Sequence, residues 1–65
     1  KLAKMSYIEK VNMILHVSMD LYWFNDTFVK KIKKNIEKWG EHKLTEKQKE
    51  AIDNIYDMLS DRGYL

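Results

Sequence analysis

Lys30, Lys34 and Lys38 recur at i,i+4 spacing between Asn25 and Gly40, with Lys31 beside them, so a helix there carries one face of almost pure lysine. Like charges at that spacing repel by roughly 0.2–0.5 kcal/mol per pair, where alternating signs would gain as much. A row of ammonium groups does one chemistry well: it neutralises a polyanion, releasing counterions as each lysine meets a phosphate. Lys43, Lys47 and Lys49 continue the charge across the next link, where the start of a following helix would offer free N–H groups to a phosphate. The expected nucleic-acid-binding residues are therefore Lys30, Lys31, Lys34, Lys38, Lys43, Lys47 and Lys49, set against the plainer reading of a solvated face. Trp23 and Trp39 could stack on unpaired bases. The phase of Trp39 matches Phe28, Ile32 and Ile36, which predicts a core side chain, whereas Trp23 lies outside the main apolar stripes and either role is open to it.

Other chemistries find little support. His16 and His42 are isolated, and no further nitrogen or sulfur ligands stand at zinc-binding spacing. Glu46, Glu50, Asp53, Asp57 and Asp61 fall near one another on a helical wheel, opposite an apolar face. A straight helix cannot wrap the six to eight oxygens that calcium takes, so this ridge reads as a solvated face or a docking surface for a basic partner. There is no Gly-rich phosphate loop, no Ser-His-Asp set and no acid pair in an evident pocket, so neither enzyme activity nor a cofactor is expected.

The elements that position these residues follow from composition and pattern. Sixty-five residues with no Cys, no Pro and two Gly exclude disulfide staples and disfavour an all-β fold. A chain this short buries about 60% of its unfolded surface, which predicts a stability on the order of 3–10 kcal/mol. No apolar run approaches the roughly 18 residues of a membrane span. Lys4, Glu9 and Lys10 interrupt any signal-like stretch, so a soluble, cytoplasmic protein is expected. The first residue is Lys1 rather than Met, which reads as a lost N-terminal piece or an excised segment. The net charge of +2 says little, but its distribution is uneven: from Lys30 to Glu50 eight lysines face four acids, and from Ala51 to Leu65 one arginine faces three aspartates. The surface should be electrically polarised.

Three helices are expected within one domain over residues 1–65, at about 6–20, 26–39 and 46–62, with residues 1–5 as a tail or the end of a preceding helix. Ser6-Tyr7-Ile8-Glu9 and Thr45-Glu46-Lys47-Gln48 both fit capping boxes. The first helix has a wide apolar face of Tyr7, Val11, Ile14, Leu15, Ser18 and Tyr22, extended by Met13, Val17 and Leu21, and should lie against more than one neighbour. Asn25 is the expected N-cap of the second helix, with Phe24 and Val29 as a hydrophobic staple and Phe28, Val29, Ile32, Ile36 and Trp39 as the apolar face. Gly40 suits the C-terminal stop, where a positive φ is needed. In the third helix Gln48, Ile52, Ile55, Tyr56 and Leu59 should face inward, with Arg62 and Gly63 ending it. The fold class is all-α, a small three- to four-helix bundle.

Trp23-Phe24-Asn25 with Phe28 and Val29, then Trp39-Gly40, then Leu44-Thr45-Glu46-Lys47-Gln48 with Ile52, Ile55 and Tyr56, resembles a helix–link–helix element of small phage DNA-metabolism proteins. That element is similar to helical bundles of the helicase-and-RNase-D C-terminal (HRDC) type, which help helicases engage structured or single-stranded nucleic acid. The resemblance covers about half of the chain and transfers no binding residues, because such modules carry no invariant contact motif. It implies an HRDC-like bundle in phage recombination or repair, acting on single-stranded or structured DNA beside a helicase or other recombination protein in the host cytoplasm. Two functions stay open: a non-enzymatic nucleic-acid-binding accessory, or a protein-interaction module docking through the acidic third helix or the wide apolar first helix.

Overall fold

The computed structural model describes residues 5–65. Among them three α-helices form, α1 (Tyr7–Ser18), α2 (Thr27–Trp39) and α3 (Glu46–Asp61), with a short 3₁₀ turn at Glu41–Lys43 between the last two. Of the expected N-terminal tail or preceding helix, residues 1–4 lie outside the described residues, and Met5 belongs to no element. No helix among the described residues is long and apolar enough to cross a membrane.

Both capping boxes form. The Ser6 hydroxyl accepts the Glu9 N–H at 3.3 Å while the Glu9 carboxylate accepts the Ser6 N–H at 3.0 Å. Thr45 and Gln48 make the same reciprocal pair at 3.1 and 3.0 Å. Two otherwise orphan donors are satisfied at each start, which fixes where α1 and α3 begin. Gly40 ends α2 at φ 92°, and its N–H reaches the Ile36 carbonyl. At the end of α3 the Tyr64 N–H bonds the Leu59 carbonyl and the Gly63 N–H bonds that of Ser60, with Gly63 at φ 88°. This is the Schellman arrangement, which needs a residue tolerant of positive φ just past the helix.

The start of α2 differs from expectation. Asp26, not Asn25, is the N-cap, and its side chain makes no cap bond. Its carboxylate turns instead to the Ser18 hydroxyl at 3.2 Å and to Lys30 at 3.6 Å, while Asn25 Oδ1 accepts the Thr27 N–H at 3.0 Å in a local turn. Phe24 still packs against the core, but with Asp26 as the N-cap it stands one position outside staple register.

The core consists of Val11, Ile14, Leu21, Val29, Ile32, Ile36, Leu44, Ile52 and Leu59. Each side chain of this kind contributes about 1.5–3 kcal/mol when fully buried. α1 packs against both α2 and α3, as its wide apolar face implies. It is shorter than expected, ending at Ser18, whose hydroxyl bonds back to the Leu15 carbonyl at 2.8 Å. Tight i→i+3 turns follow, with Asp20 bonded to Val17 and Leu21 to Ser18. They bring Leu21 into the core and throw Tyr22 out of the stripe to full exposure, so Tyr22 is not a core residue. Phe28 and Trp39, expected inside, are also exposed, at 40% and 56%. At about 100° per residue the buried centre of α2 runs between Ile32 and the Val29–Ile36 edge. Phe28 and Trp39 fall to one side of that line, at opposite ends of the helix.

Candidate nucleic-acid interface

The seven lysines separate into groups. Lys30, Lys31 and Lys34 stand together with Asp26 and Thr27 around one open concavity of about 380 Å³. Lys31 also borders a neighbouring concavity of about 490 Å³, shared with Asn25, Thr27 and Phe28. Helical periodicity builds this surface: Val29, Ile32 and Ile36 anchor the inner side of α2 in the core, so Lys30, Lys31 and Lys34 point to solvent while Lys33 is half-buried. Lys30 is partly neutralised by Asp26 one turn earlier, 3.6 Å away with its side chain two-thirds exposed. Such a contact holds little energy in water. Lys31 and Lys34 are exposed and make no ion pair among the described residues. Lys38 lies with its ammonium 4.9 Å from the centre of the Trp39 ring, a cation–π contact.

Lys43 is exposed on the 3₁₀ turn. Lys47 and Lys49 line a different groove, together with Tyr7, Glu46, Glu50, Asp53 and Asn54, and Lys49 pairs with Glu46 at 3.6 Å. Three carboxylates in that groove offset its two ammonium groups. The N-terminus of α3 carries its own capping box and Glu46 in the first turn, so its partial positive charge already has a partner. The positive surface is therefore concentrated on α2.

The acidic ridge of α3 is not uniformly solvated. Asp53 turns toward α1, where it accepts the Lys10 ammonium at 2.6 Å and the Tyr7 hydroxyl at 3.2 Å. The Lys10 ammonium sits 5.5 Å from the Tyr7 ring centre and 5.4 Å from that of Tyr56. The bond to Asp53 holds the Lys10 ammonium above its ordinary pKa against the opposing effect of burial. Burial, and then the bond to Asp53, pushes the Tyr7 phenol up. This cluster joins α1 to α3 and leaves Glu46, Glu50, Asp57 and Asp61 exposed. The sequence contained the residues, but their separation of 43 positions hid the pairing.

Two further contacts were not legible in sequence. Glu41 Oε1 accepts the Tyr7 N–H at 2.6 Å, so the link before α3 supplies a carboxylate to the first turn of α1. Trp23 packs edge-on against Phe24 at 5.9 Å and beside Tyr64 at 6.2 Å, with the Arg62 guanidinium 5.2 Å from its ring centre. His16 is exposed on the rim of a shallow apolar groove with Asn12, Met13, Val17, Tyr64 and Leu65. His42 is exposed, its ring folded against Gly40. Among the described residues no group of three His, Asp or Glu side chains could hold a metal ion.

Compared with known protein families, characterised proteins and solved structures, the chain matches none. The functional reading rests on the geometry of α2 and on the sequence pattern that built it.

Proposed function

We propose that this chain is a small, non-enzymatic nucleic-acid-binding accessory that contacts the phosphate backbone through the lysine face of α2. The observation that carries the reading is the cluster of Lys30, Lys31 and Lys34 around one concavity, with a single carboxylate, Asp26, among them. Holding these like charges on one helix costs stability, and a phosphate backbone relieves that cost. A phage recombination or repair context, in the manner of an HRDC-like bundle working beside a helicase, is the setting proposed from the resemblance to the small protein encoded next to the recombination helicase UvsW in T-even phages. The host cytoplasm is the location that setting implies.

The test is substitution of Lys31, Lys34 and Lys38 by Gln, titrated with DNA across a salt series. Phosphate contacts position without specifying, so affinity should fall alike for all sequences. The log–log salt slope should flatten by about 2–3, at roughly 0.7–0.9 for each phosphate that is no longer neutralised. An unchanged slope moves the site off α2, and no binding by the wild-type chain at low salt removes the reading.

One observation favours a second reading, a protein-docking module. Met19, Tyr22, Trp23 and Tyr64 are exposed at the end of the bundle where α1 stops and α3 ends. Apolar docking there would be nearly indifferent to salt, which separates it from phosphate binding.

A further inference from the structure

The end of the bundle where α1 stops, α2 begins and α3 finishes holds both a protruding ring and an apolar groove. Tyr22 stands fully in solvent on the link after α1, and Met19 on the same link is 77% exposed. Trp23 and Tyr64, 6.2 Å apart between ring centres, tie that link to the end of α3 and leave more than two-fifths of their surface open. Tyr64 also lines the groove, a concavity of about 450 Å³ shared with Met13, Val17 and Leu65 and with the polar Asn12 and His16. Two charges adjoin the exposed side chains. Asp20 follows Met19 in the chain, and the Arg62 guanidinium lies 5.2 Å from the Trp23 ring centre. Both are exposed, and neither makes an ion pair among the described residues.

The occupant these features fit is a second copy of the chain. A strongly charged partner has better surfaces elsewhere, in the lysines of α2 or the open carboxylates of α3, whereas this end carries one charge of each sign. A two-fold axis sets each residue of a patch against a different residue of the same patch on the other copy, so the patch must complement itself. Here a ring can meet a groove and a guanidinium can meet a carboxylate, each twice. The exposed parts of Met13, Met19, Tyr22, Trp23 and Tyr64 amount to roughly 600 Å² per copy, at about 150–250 Å² for a whole aromatic side chain. Doubled, that is about 1,200 Å², the lower edge of the range for specific interfaces. A phenol buried in such a groove needs a hydrogen-bond partner, and Asn12 and His16 line it. We propose that the chain forms a two-fold dimer through this end, with Tyr22 of each copy seated in the other's groove and Arg62 of each paired with Asp20 of the other. This deepens the docking reading of the same end by naming its partner, and it rests on that reading.

The test is sedimentation equilibrium of the full chain from about 10 μM to 1 mM, the range suited to an interface this small. A monomer–dimer equilibrium that stops at the dimer is expected. Tyr22→Ala removes nothing from the core, so the fold survives it, and it should weaken association by at least about 10-fold. Arg62→Glu and Asp20→Lys should each weaken association, and the two together should restore it, which a purely local effect of either change would not do. Association indifferent to Tyr22→Ala, or not restored in the double variant, overturns the proposed contacts. Growth beyond the dimer overturns the two-fold closure. A chain that stays monomeric at about 1 mM overturns the dimer, and the emission of anilinonaphthalene sulfonate added to it then decides the underlying reading. Emission that Tyr22→Ala lowers leaves an apolar surface for a different protein. Absence of dye binding removes the docking reading as well.

Discussion

Asp53→Ala should loosen the bundle by a predictable amount. The substitution removes the 2.6 Å bond from Lys10 and the 3.2 Å bond from the Tyr7 hydroxyl, leaving an ammonium between two rings with no bonded carboxylate and only the weaker field of Asp57. Hydrogen bonds to charged groups contribute about 1.5–3 kcal/mol when sheltered, and exposed ion pairs about 0–1 kcal/mol. The Lys10 and Asp53 side chains are 21% and 38% exposed, so the contact lies between these limits. The expected cost is about 1–2 kcal/mol, which in a domain of this size lowers Tm by about 4–16 °C. Lys10→Met keeps the apolar stem between Tyr7 and Tyr56, and a double-mutant cycle with Asp53→Ala should return a coupling of about 1 kcal/mol.

The pH dependence of the same pair carries a second signature. The raised pKa of Lys10 gives stability that is complete below about pH 10.4 and is lost as pH rises through its folded value. The raised phenol of Tyr7 acts in the same direction, because above about pH 10 the folded chain keeps a proton that the unfolded chain releases. Wild-type Tm should therefore fall as pH rises above about 10, and Asp53→Asn should flatten that fall. Thermal melts followed by circular dichroism measure both effects. A cost for Asp53→Ala below about 0.3 kcal/mol, or an alkaline slope indifferent to Asp53→Asn, refutes the argument.

Four other outcomes follow. Ile32→Ala, in the buried centre of α2, should cost about 2–5 kcal/mol in chemical denaturation, whereas Trp39→Ala should cost well under 3 kcal/mol because more than half of its surface is already in water. Gly40→Ala should destabilise by more than about 1 kcal/mol, since φ is 92° there and the added methyl would come within 2.9 Å of the His42 ring. The backbone and hydroxyl of Ser6 hold the Glu9 carboxylate below its usual pKa, so the stability it gives is present above about pH 4.3 and lost as pH falls through its folded value; Glu9→Gln should keep the cap and remove that acid-side change in helicity. Thr45→Ala should cost about 1 kcal/mol by opening the capping box of α3.

What could be read from sequence was what is local. Ser6-x-x-Glu9 and Thr45-x-x-Gln48 are complete within four residues, and both close as written. Gly40 and Gly63 stand where helices must turn out of register, and both take positive φ. Periodicity located Val29, Ile32 and Ile36, but it gave Phe28 and Trp39 the same phase because it averages over the helix, and both lie to one side of its buried centre. Asn25 and Asp26 are equally good caps in isolation. Contact with Ser18, eight residues earlier, drew the Asp26 carboxylate away from the helix end. The same limit hid the Glu41 bond to Tyr7 and the Lys10 bond to Asp53, 34 and 43 positions apart. On α2 the lysine pattern was visible at once, while the aromatic rings beside it became visible only as exposed side chains in the folded chain.

The salt dependence of wild-type binding to DNA tests the central claim most directly. Four lysines on α2 that neutralise phosphates should give a plot of log affinity against log salt with a slope of about −2.8 to −3.6. A slope near zero, or no association at low ionic strength, would contradict the account.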